Sequence, residues 1–217
     1  MNKNRVIVAL DSDNLDKSEN LIEKIKNHTF AFKIGYEFFL NFGLSGYKKI
    51  KDKDVKIFLD LKLHDIPNTI KKSIEAISNL NPHFTTIHIS GGDEMQKLAS
   101  LNKKKVKILG VSILTSIDSN QAKKYYNNEN IKNLVSNFVN NALKNNLDGV
   151  VCSPHEIEMV KKISGNKLCI VTPGIRPKNY KKDDDQKRFM TPKEAISLGS
   201  DYLVIGRPIT ESSDPLK

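Results

Sequence analysis

Short apolar runs recur along the chain at a spacing that alternates with longer amphipathic stretches. The runs are RVIVALD, FAFKIG, VKIFLDLK, FTTIHIS, VKILGVSIL, DGVVCS, KLCIVTPGI and DYLVIGR. Each is rich in β-branched residues and predicts a strand, and most of the segments between them carry apolar residues at helical spacing. Most runs are too apolar for strands with one wet face, and the connections are long enough for crossover helices, so the sheet should be parallel. Eight such units predict an α/β fold, a (β/α)8 TIM barrel, rather than an open doubly wound sheet. The 217 residues suit a single barrel domain over 1–217, with no Pro/Gly/Ser-rich linker, domain-scale repeat or low-complexity tract beyond an enrichment in Asn and Lys.

One run breaks its own pattern. IFLDLKLHDIPNT, residues 57–69, starts as a core strand and then carries Asp60, Lys62, His64 and Asp65. Side chains alternate along a strand, so Phe58, Asp60 and Lys62 share one face and Leu59 and Leu61 the other. With the leucines against the helices, Asp60 and Lys62 point inward at the carboxyl end of the third strand, where barrel enzymes place their chemistry. Asp11 ends the first strand and Lys33 stands near the end of the second in the same register, so four charges converge on one mouth. A lone Asp and Lys at a strand end is as often an ion pair closing a barrel as a functional pair. Four alternating charges cost several kcal/mol of desolvation per ion, by order of magnitude, and return little stability, which points to function. His64 has the opposite parity and is expected to pack outside the pocket. Pro67 suits the first turn of a following helix.

Composition adds limits. No apolar run approaches the length of a membrane span, and the amino terminus lacks the apolar region of a secretory signal, which predicts a soluble, cytoplasmic protein with no membrane partner. Cys152 and Cys169 lie in strand-like runs and form no CxxC pair, so they read as reduced, buried thiols. The net charge of +10 comes from 31 Lys and 4 Arg, with the Lys scattered over helix faces beside many Asn. A nucleic-acid binder concentrates its charge in a stripe with interleaved aromatics, so no nucleic-acid partner is expected. The rare Arg residues are informative: Arg176, Arg188 and Arg207 fall in the last quarter, as if kept where a planar fork is needed, as in bidentate phosphate recognition.

VALD at 8–11, KIG at 33–35, LDLKLHDIPNT at 59–69, LTS at 114–116, TPGIRP at 172–177, DQKRFMTP at 185–192 and IGRPIT at 205–210 together resemble, in order, the signatures of the orotidine 5'-phosphate decarboxylases in their shorter bacterial form. The resemblance covers nearly the whole chain. It implies cofactor-independent conversion of orotidine 5'-phosphate to uridine 5'-phosphate and carbon dioxide, the last step of de novo uridylate synthesis, with no metal, by a homodimer with shared active sites. By the same resemblance Lys62 is the proton donor to C6 of the pyrimidine and Asp60 lies by the substrate carboxylate. Asp65 reaches into the neighbouring subunit's site. Asp11 and Lys33 contact the ribose hydroxyls, Thr69 closes the third motif as a substrate-binding residue, and Thr115 lies in the loop that meets the base. Gln186, the backbone at Gly206, and Arg207 hold the phosphate, and Arg176 is similar to a substrate-binding residue of the family.

The segment RPKNYKKDDDQKRF, 176–189, is long and polar and is expected to close over the phosphate as a lid. The resemblance departs from the family at the end of the chain. The sequence stops at ESSDPLK, shortly after the eighth strand, where the family continues into a final helix over the barrel, so that helix is expected to be missing. Two other readings compete. A magnesium-dependent sugar-phosphate decarboxylase or synthase of the same barrel superfamily shares the Asp-x-Lys-x-x-Asp strand, but Lys33 would repel its metal. A basic RNA-binding protein would need a stripe of charge and no cleft chemistry.

Overall fold

The computed structural model describes residues 4–177 and 190–216. The eight strands are β1 (Val6–Ala9), β2 (Ala31–Ile34), β3 (Ile57–Leu63), β4 (Phe84–His88), β5 (Lys107–Val111), β6 (Gly149–Val151), β7 (Cys169–Thr172) and β8 (Tyr202–Ile205). They pair in parallel in chain order, and β1 also pairs with β8, closing a barrel. The helices outside it are α1 (Leu15–Ile25), α2 (Tyr36–Lys51), α3 (Pro67–Leu80), α4 (Asp93–Leu101), α5 (Ser119–Tyr126), α6 (Ile131–Lys144), α7 (Ile157–Ser164), α8 (Pro192–Ser197) and α9 (Arg207–Thr210). The expected (β/α)8 architecture is therefore present, and after β8 the described chain forms only the short α9. None of the described helices is long and apolar enough to cross a membrane.

Alternation along the strands builds an inner core and an outer layer of packing from one sheet, the outer layer being divided into two clusters. Ile7, Ala9, Ala31, Phe58, Phe84, Leu109, Val171 and Val204 pack together inside the barrel. Their neighbours Val8, Leu10, Phe32, Ile34, Ile57 and Leu59 point outward and pack with Ile22 and Ile25 of α1, Phe38, Tyr47 and Ile50 of α2, and Ile77 of α3. Each such side chain contributes about 1.5–3 kcal/mol when fully buried, and every residue of β2 is buried. The interior packing sits low in the barrel and leaves the carboxyl end of the strands to polar residues.

Local signals set the helix ends. Asn14 accepts the Lys17 amide and caps α1. Pro67 occupies the first turn of α3, where its missing N–H is not needed, and Asn81 ends that helix in a left-handed conformation. Thr191 and Glu194 form a capping box at α8. Cys152 lies one residue past β6 and is buried, whereas Cys169 opens β7 and is only half-buried; both thiols are free. Burial pushes the Cys169 thiol up to about 12.

Strand β3 differs from the plain alternation expected of it. Its pairing with β4 runs Leu59 to Thr85 and then Leu63 to Ile87, so the register slips across Asp60, Leu61 and Lys62. Lys62 itself has φ +42°, a left-handed conformation that a side chain adopts at a cost. Both charged residues take the inward side that alternation assigns, and the register shift sets the backbone conformation at Lys62.

Candidate active site

A cavity of about 1100 Å³ opens at the carboxyl end of the strands, and Asp11, Lys33, Asp60, Lys62, Thr115, Arg176, Gly206 and Arg207 all line it. Asp11 follows β1, Lys33 belongs to β2, and Asp60 and Lys62 belong to β3. Thr115 follows β5, Arg176 follows β7, and Gly206 and Arg207 follow β8. β7, which Arg176 follows, stands four strands from β3 around the closed barrel.

The four charges form a chain of alternating sign. Lys33 Nζ lies 3.1 Å from Asp11 Oδ1 and 3.8 Å from Asp60 Oδ2, and Lys62 Nζ donates to Asp60 Oδ2 at 2.8 Å. Asp60 is the buried centre, only 7% exposed, while Lys62 keeps part of its surface toward the cavity. Burial alone would raise the Asp60 carboxyl. The Lys33 and Lys62 ammoniums, with hydrogen bonds from Lys62 and Thr86, outweigh it and hold the group below the usual carboxylate range. Asp60 is therefore an anion at neutral pH, and it holds two cations in place.

Two further residues shape this arrangement and were not picked out in the sequence. A side chain at Gly35 would place its Cβ 2.9 Å from Lys33 Nζ and 3.2 Å from Asp11 Oδ1, so the bare backbone makes room for that ion pair. Thr86 of β4 donates its hydroxyl to Asp60 Oδ1 at 2.9 Å and accepts the Lys62 amide at 2.9 Å. Its parity carried a signal: Phe84 points into the barrel, so Thr86 does too, and a hydroxyl in that position needs a partner.

The remaining candidates are placed differently. Arg176 is buried, and its guanidinium donates to the Ile175 carbonyl at 3.0 Å. Arg207 is the first residue of α9, directly after Gly206. Asp65 and Thr69 are exposed and do not line the cavity of their own chain; Asp65 Oδ1 accepts the Ile66 amide at 2.7 Å. His64 is also exposed and its ring meets that of His88 with centroids 5.3 Å apart, outside the cavity lining. Gln186, and the lid segment apart from Arg176 and Pro177, lie outside the described residues.

A closed parallel barrel whose strand ends gather a Lys–Asp–Lys centre and two arginines around one cavity defines a class: a barrel enzyme of anionic small molecules. Comparison with known proteins narrows it. The sequence pattern of the orotidine 5'-phosphate decarboxylase / HUMPS family matches residues 4–217. The chain is 43% identical over 214 residues to the orotidine 5'-phosphate decarboxylase of Wolbachia pipientis, covering 98% of this chain and 94% of that one. It is 45% identical over 214 residues to the enzyme of the same name from Wigglesworthia glossinidia brevipalpis, covering 97% and 92%. The solved structure of orotidine 5'-phosphate decarboxylase from Lactobacillus acidophilus superposes with a TM-score of 0.84 at 36% identity, covering 98% of this chain and 94% of that one. The chain belongs to the orotidine 5'-phosphate decarboxylase / HUMPS family.

Proposed function

We propose that this protein decarboxylates orotidine 5'-phosphate to uridine 5'-phosphate and carbon dioxide, with Lys62 as the reacting group. The observation that carries the reading is the Lys62 ammonium, fixed 2.8 Å from a buried carboxylate that Lys33 also neutralises, in a cavity that Arg176 and Arg207 also line. Breaking the bond between C6 and the carboxylate leaves an electron pair in the plane of the ring, with no adjacent π system to take it up. A fixed positive charge must meet it there. Opposite unit charges about 4 Å apart attract by roughly 4 kcal/mol at an effective dielectric of 20, and a preorganised ammonium avoids the reorganisation that water would need. Lys62 then gives its proton to C6, carbon dioxide leaves, and solvent restores the ammonium. Asp60, already ionised, keeps Lys62 charged until that step.

At the other end of the substrate, Arg207 and the Gly206 backbone, with Gln186, take the phosphate, whose binding energy is then available for closure over the site. Asp11 and Lys33 take the ribose hydroxyls, Thr115 meets the base, and Arg176 and Thr69 complete the substrate contacts. No cofactor or metal takes part in this scheme.

The working unit in this reading is a homodimer with shared sites. Asp65 stands outside its own cavity, which suits a residue that serves a neighbour's. Exposed Tyr36 and Leu40 stand four residues apart on one face of the first part of α2, exposed Leu44 follows the break in α2 at Gly43, and exposed Ile66 adjoins Asp65. Tyr36 Oη donates to the Leu61 carbonyl at 2.6 Å and ties that face to the end of β3. We place the protein in the cytoplasm, where its two free thiols stay reduced, and assign it neither nucleic-acid nor membrane partners, since its Lys residues are scattered.

The test is an absorbance assay of purified protein with orotidine 5'-phosphate and excess chelator. Turnover is expected. Folded protein that leaves this substrate untouched, yet acts on a sugar phosphate when magnesium is added, would move the chain to the sugar-phosphate branch.

A further inference from the structure

We propose that Thr86 is a positioning residue for the decarboxylation, its one hydroxyl fixing both the carboxylate and the backbone from which the reactive ammonium is presented. The inference rests on the role given to Lys62 above, and it starts from a local conflict in the chain. Lys62 combines a left-handed backbone, φ +42°, with the job of holding its ammonium against Asp60. Non-glycine residues keep such a conformation only where the surroundings over-determine it.

Strand β4 supplies the constraint. Between the paired positions Leu59–Thr85 and Leu63–Ile87, β3 advances by more residues than β4, and Thr86 alone stands opposite the slipped segment. Ladder hydrogen bonds are interrupted there, leaving the Lys62 amide in need of an acceptor. Thr86 Oγ1 accepts it at 2.9 Å. A hydroxyl has one proton to give, and this one goes to Asp60 Oδ1 at 2.9 Å. The division of labour on Asp60 follows: Oδ1 is held by Thr86, and Oδ2 is left for Lys62 at 2.8 Å and Lys33 at 3.8 Å.

Thr86 is fully buried, so no water competes for the two bonds. Its β-branched side chain also restricts its own rotamer on the strand. The hydroxyl touches neither the cavity surface nor the substrate in this scheme, because Thr86 is not among the residues that line the cavity. Its effect reaches the chemistry only through Asp60 and Lys62. Removing the hydroxyl frees the carboxylate to rotate and leaves the Lys62 amide unsatisfied, so the bulge relaxes and the ammonium moves.

Thr86→Val keeps the shape and the branched strand residue but loses both hydrogen bonds, and Thr86→Ser keeps the hydroxyl. With orotidine 5'-phosphate, Thr86→Val should lower kcat by roughly 10- to 100-fold, the scale of a small misplacement of a reacting group. KM and the dissociation constant of uridine 5'-phosphate should each stay within about threefold, because the lost contact acts on the chemical step alone. Thr86→Ser should recover kcat to within about threefold of wild type, since the same two bonds are available to it. A Thr86→Val protein with wild-type kcat overturns the proposal, as does a Thr86→Ser protein equally impaired. Loss of product binding in parallel with kcat would make the role merely structural and would also overturn it. Crystal structures of wild type and Thr86→Val give a readout independent of turnover: the Lys62–Asp60 contact should open. If wild type fails to turn over the substrate but this contact still opens, the fault lies with the assigned reaction and the positioning role survives.

Discussion

Lys62 Nζ and Asp60 Oδ2 stand 2.8 Å apart although their residues lie on one strand two positions from each other. Lys62 makes this contact from a left-handed backbone, φ +42°, within the stretch where β3 slips against β4. Lys33, arriving from β2, is the second cation on the same oxygen.

Lys62→Ala should lower kcat by at least about a thousandfold, since it removes both the cation facing the developing carbanion and the proton donor. Far-ultraviolet circular dichroism and thermal melting should be close to wild type. A variant that keeps a tenth of the wild-type kcat would sink the assignment.

Mixing inactive Asp65→Ala protein with inactive Lys62→Ala protein should restore activity if sites are shared. Random reassortment leaves one intact site in each heterodimer, so about a quarter of wild-type activity is expected from a two-fold symmetric dimer. No recovery, with subunit exchange demonstrated by differently tagged chains, would mean that Asp65 acts within its own subunit or not at all.

Arg207→Ala should reduce kcat/KM for orotidine 5'-phosphate by roughly 10- to 100-fold, about 1.4–2.7 kcal/mol, mainly through KM. Arg207→Lys should recover only part of this because the two-pronged geometry is lost. Orotidine, which has no phosphate, should be turned over equally by wild type and variant. Equal proportional losses on both substrates would remove Arg207 from phosphate binding.

Acid stability should depend on His83 at the amino-terminal end of the barrel. Its ring packs against Phe30 and Phe84, and burial, followed by the nearby Lys107, Lys56 and Lys51, lowers its pKa to about 4. The unfolded chain takes up this proton near the ordinary histidine value while the folded chain does not. Stability is therefore full above about pH 6.5 and falls as pH drops toward 4. His83 is partly exposed, and with solvent screening discounted the loss is about 1–2 kcal/mol. His83→Phe should flatten this part of a urea-denaturation profile against pH; an unchanged slope would show that His83 titrates normally.

Gly149→Ala should destabilise the barrel without touching the site. A Cβ there would meet the Cys169 main-chain oxygen and crowd Leu109, both parts of neighbouring strands that cannot easily move. Overpacking of this kind costs about 1–3 kcal/mol, which chemical denaturation would register as a lower midpoint with an unchanged slope. A midpoint equal to wild type would show that the strands separate freely.

The sequence by itself determined the barrel and most of the charged centre, because both depend on period-two alternation, a property of each strand alone. Ile7 and Ala9 point inward and so does the position of Asp11; the same holds for Ala31 with Lys33 and for Phe58 with Asp60. Alternation assigned Lys62 to the right side but not its conformation. The bulge there comes from how β3 registers against β4, and register is set by contacts between segments far apart in the chain. The roles open to Thr86 and Gly35 were hidden for the same reason: a hydroxyl between Asp60 and Lys62, and an absent side chain beside Lys33, have meaning only once the strands are side by side. Tertiary structure also separated Asp65 and Thr69 from their own chain's cavity, although the motif they share with Lys62 is continuous in sequence. Once β3 ends, the chain turns outward into α3, and adjacency along the backbone no longer means adjacency in space.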